Sequence, residues 1–409
     1  MEQKKLFHKD FTLVVIGQII SLFGNGIVRF ALPLFLLNQT GSASLFGIVT
    51  ALSFVPMIIL TPLGGIIADR VNKRNIMVTL DFLTAALMLV LYLMLGKVDL
   101  VSLLIITLMF LYGIQGAYQP AVQASMPLLQ GKEHLLSANA IINQVNALSG
   151  IIAPILGGVL FGLWGITPIV LVGGICFFVS AVMELFIKIP HTRIKAKQGV
   201  FNIVKQDFYD SFLFMRKDKP VILKSIGIIC AFNLFLSSML IVSMPVLITL
   251  TLGLSDQLYG LSQGALAAGG LVGGILTGVL GKKLNIKKLH LLLLITAGLL
   301  LPIAATLWLN LPPLISYFVI SASCFFLMCV ATMVTVQMLT FIQGETPTQL
   351  TGKVLSCVMA LSMCAQPLGQ AIYGFLFDAF GAAPYFIVIG AAVSSGCIAL
   401  FSKNIFKNL

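Results

Sequence analysis

Twelve continuous apolar runs, each long enough to cross a bilayer, constrain this chain more tightly than any other feature. They extend from Phe11 to Leu37, Ser44 to Ala68, Ile76 to Leu95, Leu100 to Tyr118, Ala138 to Gly162 and Pro168 to Ile189. The second six extend from Val221 to Leu252, Tyr259 to Leu280, Lys288 to Leu309, Pro312 to Gln337, Lys353 to Phe377 and Ala383 to Phe401. A transmembrane helix takes about 20 mostly apolar residues, whereas a transmembrane β-barrel shows short segments of alternating polarity. Of the 409 residues 59% are apolar and 9% charged, against about a quarter charged in soluble domains. The sequence therefore predicts an all-α integral membrane protein with twelve transmembrane helices.

The basic residues set the orientation. With the N-terminus in the cytoplasm, every one of the 25 Lys and Arg except Lys97 and Arg29 falls on the cytoplasmic side, as the positive-inside rule requires. Both termini are then cytoplasmic. The formal charge of +12 reflects this one-sided placement and calls for no nucleic-acid partner. Met1 to Asp10 is charged and the first apolar run is longer than a signal-peptide core, so no cleaved leader is expected.

One long polar connection, Pro190 to Pro220, divides the chain into a six-helix half (1–189), a linker (190–220) and a second six-helix half (221–409). Within the linker Phe201, Val204, Phe208 and Phe212 recur at helical spacing among Lys205, Asp207 and Asp210, which predicts an amphipathic helix on the cytoplasmic surface. The halves also resemble each other. Gly65-Ile-Ile-Ala-Asp-Arg-Val-Asn-Lys-Arg74 matches Gly278-Val-Leu-Gly-Lys-Lys-Leu-Asn-Ile-Lys287, and Pro154 matches Pro367, at one offset, since 278 − 65 and 367 − 154 are both 213. Duplicated six-helix units place a substrate site near mid-membrane where the repeats meet.

Polar groups inside apolar spans are costly and mark function or interhelical contact. Arg29 lies one turn beyond Asn25 on the same face of the first span, with Gln18 two turns before Asn25, so this face is expected to line a cavity. Tyr112, Gln115, Asn143, Asn146, Asn233, Gln366, Gln370 and Tyr373 lie at plausible cavity depth. Amides, aromatics and Met with few charges suit bulky, weakly polar substrates. Asp81 sits about 8 Å into the third span. It is either a structural partner of Arg70 or Arg74 or a proton-linked group. Glu184 precedes Lys188 by four residues, the spacing of a helical ion pair. Gly270, Gly274 and Gly278, with Gly269, Gly273 and Gly281 beside them, predict close packing of the eighth span on a neighbour in its own half, with dimerisation through this face as the alternative.

The seven cysteines all lie inside apolar runs and read as small hydrophobes, and the four histidines fall in or beside polar connections. No Gly-x-x-x-x-Gly-Lys-Ser/Thr loop and no His-Glu-x-x-His pair occurs, so ATP hydrolysis and metalloprotease chemistry are excluded as readings. No enzyme activity, catalytic residue, metal or other cofactor is expected.

Gly-x-x-x-Asp-Arg-x-Asn-Lys-Arg after the second of twelve spans resembles the loop signature of the major facilitator superfamily, and the likeness covers almost the whole chain. Ser21-Leu-Phe-Gly-Asn25 with Arg29, Gly116-Ala-Tyr-Gln-Pro120, Ser137-Ala-Asn139 and Gly352-Lys-Val-Leu-Ser356 resemble its bacterial drug and macrolide efflux branch. The resemblance implies that Gly65, Asp69, Arg70 and Arg74 form a cytoplasmic gate, with Lys282 standing in the second repeat where the first has Asp69. It also implies that Ala153-Pro-Ile-Leu-Gly-Gly158 is similar to the antiporter signature, making Pro154, Gly157, Gly158 and Pro367 hinge candidates. Two departures bear on coupling. Tyr112-Gly-Ile-Gln-Gly116 lacks the family's arginine, and Asn25 stands where relatives often carry an aspartate. Asp81 then becomes the coupling candidate. The expectation is a monomeric secondary-active exporter of lipophilic or drug-like compounds in the bacterial cytoplasmic membrane. It would work by alternating access with proton antiport among membrane lipids, an importer or lipid flippase of the same fold being the alternative.

Overall fold

The computed structural model describes residues 6–131, 133–190, 200–281, 286–347 and 350–406, except the side chains of Asp69 and of residues 200–207. Lys282 of the second-repeat loop and His191 lie outside the described residues. The first six helices are α1 (Lys9–Thr40), α2 (Ala43–Arg70), α3 (Lys73–Met94), α4 (Leu100–Leu129), α5 (Leu135–Trp164) and α6 (Ile166–Leu185). A shorter α7 (Val200–Lys217) follows. The remaining six are α8 (Pro220–Thr251), α9 (Asp256–Leu280), α10 (Ile286–Trp308), α11 (Pro313–Glu345), α12 (Thr351–Ala379) and α13 (Tyr385–Phe406). All but α7 are long and apolar enough to cross a membrane, giving twelve spans, and no strand occurs among the described residues. The all-α membrane fold read from the apolar runs holds.

Several helices outrun those runs. α4 continues to Leu129 and α11 to Glu345, because polar residues propagate a helix as well as apolar ones once it leaves the hydrocarbon. At 32 residues α1 is about 48 Å long, which carries it beyond the roughly 30 Å apolar core. The ends are capped by chemistry legible in the chain. Asn72 accepts from the Arg74 N–H at 3.0 Å at the start of α3. Asp99 accepts from the Ser102 N–H at 2.8 Å at the start of α4, and that bond holds its carboxyl below the usual carboxylate range.

By compactness the chain forms two units, one of residues 1–36 and 52–200, the other of 37–51 and 201–409. In the first, small residues bring helices together. A Cβ at Gly64 of α2 would sit 2.7 Å from Ala117 Cα of α4, and one at Gly26 of α1 would sit 2.6 Å from Ala153 Cβ of α5. The open side of Gly65, with nothing within 4 Å, shows that Gly64 makes the close approach.

In the second unit Asp378 of α12 caps the start of α2. It accepts from the Ala43 N–H at 2.8 Å, the Ser44 N–H at 3.0 Å, the Ser42 hydroxyl at 2.9 Å and the Ser44 hydroxyl. A carboxylate at a helix N-terminus meets both its orphan N–H groups and its dipole. The predicted linker helix is α7. It packs Phe208 and Phe214 against a core of Ile222, Ile226, Ile342, Val354 and Val358, and Asp210 pairs with Lys353 at 3.4 Å. Phe208 of the predicted apolar face therefore has a protein partner in its own unit, while the side chains of Phe201 and Val204 lie outside the described residues. Phe212, on the same helix, is exposed.

The expected glycine face of α9 packs on a neighbour in its own half, and the closest approach is made by two of its flanking glycines. A Cβ at Gly269 or Gly273 would overlap the backbone carbonyl of Phe325 or Cys329 on α11, whereas nothing lies within 4 Å at Gly274 or Gly278. Two hydrogen bonds seal this pair of helices, Ser262 with Ser321 at 2.8 Å and the Tyr317 hydroxyl to the Leu258 carbonyl at 3.1 Å.

Candidate functional site

Four helices of the first unit converge on a buried polar cluster. From α1, Gln18 donates its amide to the Tyr118 hydroxyl of α4 at 2.6 Å, and that hydroxyl donates to Glu184 Oε1 of α6 at 2.6 Å. Ser21, one turn along α1 from Gln18, donates to Asp81 Oδ1 of α3 at 3.2 Å. The Ser180 hydroxyl, one turn before Glu184, reaches the Gly17 carbonyl at 3.2 Å. Gln18 and Glu184 are fully buried and Asp81 is 2% exposed. Three acceptor oxygens, Gln18 Oε1, Asp81 Oδ2 and Glu184 Oε2, have no hydrogen-bond partner. Such orphaned acceptors are costly in a low-dielectric interior.

The expected partners of both carboxylates are different. Among the described residues no ion pair joins Asp81 to Arg70 or Arg74. Glu184 points inward to Tyr118, away from the ion pair its spacing to Lys188 suggested. The physical reason lies in the packing of α6: Gly173, Phe177, Ser180 and Glu184 share the face that the bundle buries, and Tyr118 supplies a donor there.

A second cluster lies farther along α1. The Arg29 guanidinium stacks over the Tyr112 ring at 3.5 Å and donates to Gln115 Oε1. Phe54 of α2 meets Tyr112 edge-on at 5.0 Å. A guanidinium on an aromatic face keeps its charge solvated by the ring while its other N–H groups stay available to a ligand. Close by, α5 leans on α1: a Cβ at Gly157 would stand 2.9 Å from the Phe30 ring, so Gly157, like Ala153 one turn earlier, packs against the stretch of α1 that carries Arg29, while Gly158 is buried and Pro154 half-buried.

The other cavity candidates fall in several places. Asn25 is half-buried, Asn143 is exposed on α5, and Asn146 donates back to the Ile142 carbonyl at 3.0 Å. In the second unit Asn233 opens a π-helical turn (Asn233–Ser237) of α8 and donates to the Ser362 carbonyl of α12 at 3.0 Å. Ser238 bridges to the Gln366 carbonyl at 2.8 Å. Gln370 is fully buried, and neither its amide nitrogen nor its oxygen has a partner. Pro367 is buried beside it in α12. Sequence reasoning gave no sign of this π-turn or of the second in α8, Val246–Thr251; such turns widen a helix by one residue and often accompany functional positions.

The residues expected to form a gate sit where α2 ends and α3 begins. Arg70 closes α2, and Arg74 lines a cavity of about 450 Å³ with His8, Asp10, Asn72 and Lys188. The Asp69 side chain lies outside the described residues. Among the described residues no group of three His, Cys, Asp or Glu comes together as a metal site.

The family model described as Major Facilitator Superfamily matches residues 14–363. Macrolide efflux protein A of Streptococcus pyogenes is 24% identical over 409 residues, covering 98% of this chain and 96% of that protein. Multidrug efflux pump Tap of Mycolicibacterium fortuitum is 26% identical over 406 residues, covering 95% and 94%. The solved structure of the nucleoside transporter NupG superposes with a TM-score of 0.77 at 13% identity, covering 97% of this chain and 99% of that one.

Proposed function

Because the chain belongs to the major facilitator superfamily and is a transporter and not an enzyme, we propose that it is a secondary-active exporter of lipophilic or drug-like compounds, working by alternating access and driven by proton antiport. The observation that carries the substrate class is the Arg29–Tyr112–Gln115–Phe54 cluster, a cation seated on aromatic rings inside an apolar span. It offers dispersion, stacking and a few hydrogen bonds, which is what a bulky, weakly polar molecule needs. The full-length likeness to macrolide and multidrug efflux proteins supports export. Asp81 is the coupling group. Burial without a cation leaves its charge dependent on a proton, and a buried charge in a span costs about 3 kcal/mol on insertion scales. Gly65, Asp69, Arg70 and Arg74 form the cytoplasmic gate, Pro154, Gly157, Gly158 and Pro367 the hinges. The protein sits as a monomer in the bacterial cytoplasmic membrane, both termini inside.

Accumulation of ethidium and of a macrolide in cells expressing the protein tests this reading. Wild type is expected to lower accumulation of both. Arg29→Ala is expected to change the ratio of the two at equal membrane abundance, and Asp69→Asn to reduce efflux of both. Unchanged accumulation with wild type overturns export, an unchanged ratio in Arg29→Ala removes the contact, and wild-type efflux by Asp69→Asn removes the gate.

A further inference from the structure

We infer that Asp81 and Glu184 form a single proton-binding site, in which one exchangeable proton belongs to the pair, with Tyr118 and Gln18 as positioning residues. Glu184 is the new member. Its role in transport rests on the proton-driven reading above, but proton binding itself does not.

Hydrogen-bond arithmetic carries the inference. The groups facing the two carboxylates are Gln18, Ser21 and the Gly17 carbonyl from α1, Tyr118 from α4 and Ser180 from α6. Every one is neutral at ordinary pH, and among the described residues no ion pair reaches either carboxyl. Each donor atom present already has a partner, Gln18 Nε2 on Tyr118 with one N–H to spare, Tyr118 on Glu184 Oε1, Ser21 on Asp81 Oδ1 and Ser180 on Gly17, and none of them bonds Asp81 Oδ2 or Glu184 Oε2. What remains is three buried acceptors without a donor, one on each carboxyl and one on Gln18. A proton on Asp81 Oδ2 or Glu184 Oε2 turns one of these acceptors into a donor and removes one charge from the interior. Both carboxyls hang from neighbouring positions of one turn of α1, Asp81 through Ser21 and Glu184 through Tyr118 and Gln18, so gain of a proton by one changes the demand at the other, and the titration belongs to the pair.

The exchange is simple in its balance. The O–H bond of one carboxylic acid breaks, the electron pair stays on the carboxylate, and the proton passes to water. The Tyr118 hydroxyl keeps its own proton, a phenol being a far weaker acid than a carboxyl, and its bonds from Gln18 and to Glu184 fix its direction. Because the cluster ties α1, α3, α4 and α6 of the first unit together, its charge bears on how those four helices pack. This couples proton occupancy to conformation without a mobile side chain.

The test uses the full-length protein in lipid nanodiscs and infrared difference spectroscopy of the carboxylic-acid carbonyl stretch across a pH series. Wild type, Asp81→Asn, Glu184→Gln and the double variant are compared after each is shown to be monodisperse. The expected result is one titrating band of one proton per molecule in wild type, displaced or lost in either single variant, with the double variant no different from the more affected single. Protonophore-sensitive dye efflux by Glu184→Gln should fall roughly tenfold or more, within the range of site-to-site couplings. Tyr118→Phe should displace the wild-type band while keeping it, as a positioning residue requires. Two bands that disappear independently, or a Glu184→Gln protein with the wild-type band, overturn the pair. Protonophore-insensitive efflux with the paired band intact overturns proton antiport and leaves the site standing. Proton-driven efflux without the band does the reverse.

Discussion

Asp81→Asn is expected to reach the membrane in wild-type amounts and to lose the protonophore-sensitive part of its efflux by about a factor of ten or more, the scale of a coupling free energy between two sites. Asn has the size of Asp and its carbonyl can still accept from Ser21, which donates at 3.2 Å in the parent protein. It cannot change charge. Folding is therefore preserved while the variable quantity is removed. Removing a charge from a span also lowers the cost of burial, so abundance should hold or rise. A variant that is scarce in the membrane would assign Asp81 to structure, and one with wild-type, protonophore-sensitive efflux would assign coupling elsewhere. Quantitative membrane immunoblotting beside the efflux assay separates the two.

The second large effect is on assembly. Gly273→Leu is expected to deplete the protein from the membrane severalfold, whereas Gly278→Leu, five residues on, is tolerated. At Gly273 the first side-chain carbon already overlaps the Cys329 backbone carbonyl of α11, and Gly269 repeats the contact one turn earlier with Phe325. Backbone cannot step aside as a side chain can, so the helices must separate and give up the Ser262–Ser321 bond at 2.8 Å. Overpacking of this kind costs about 1–3 kcal/mol or more. Gly278 has nothing within 4 Å and receives a side chain freely. Equal abundance of the two variants would show that α9 and α11 are not held by this seam.

Much of the fold was readable because a bilayer leaves so few choices. Apolar length alone located the twelve spans, and the distribution of Lys and Arg supports the same count. What failed was rotation about the helix axis. Glu184 sits four residues from Lys188, and spacing cannot tell which way that face turns. The readable signal was Ser180 four residues earlier, on the same stripe as Gly173 and Phe177, a run that a buried face explains better than an exposed ion pair. Rotation also decides which glycines of the α9 face make the closest approach, Gly269 and Gly273 and not Gly274 or Gly278. Gln18 was read as cavity lining from its alignment with Asn25 and Arg29, yet it is the far end of the Tyr118–Glu184 chain, because α1 is long enough to serve two clusters at different depths. The π-turns of α8 leave no mark in composition, since one extra residue per turn changes no residue type.

The central claim is that an inward flow of protons drives lipophilic compounds outward, and inverted membrane vesicles test it most directly. Energised vesicles carrying the wild-type protein are expected to accumulate ethidium, to release it when a protonophore is added, and to lose part of their internal acidity as the dye enters. Accumulation that survives the protonophore, or acidity unchanged while dye moves, would contradict the account.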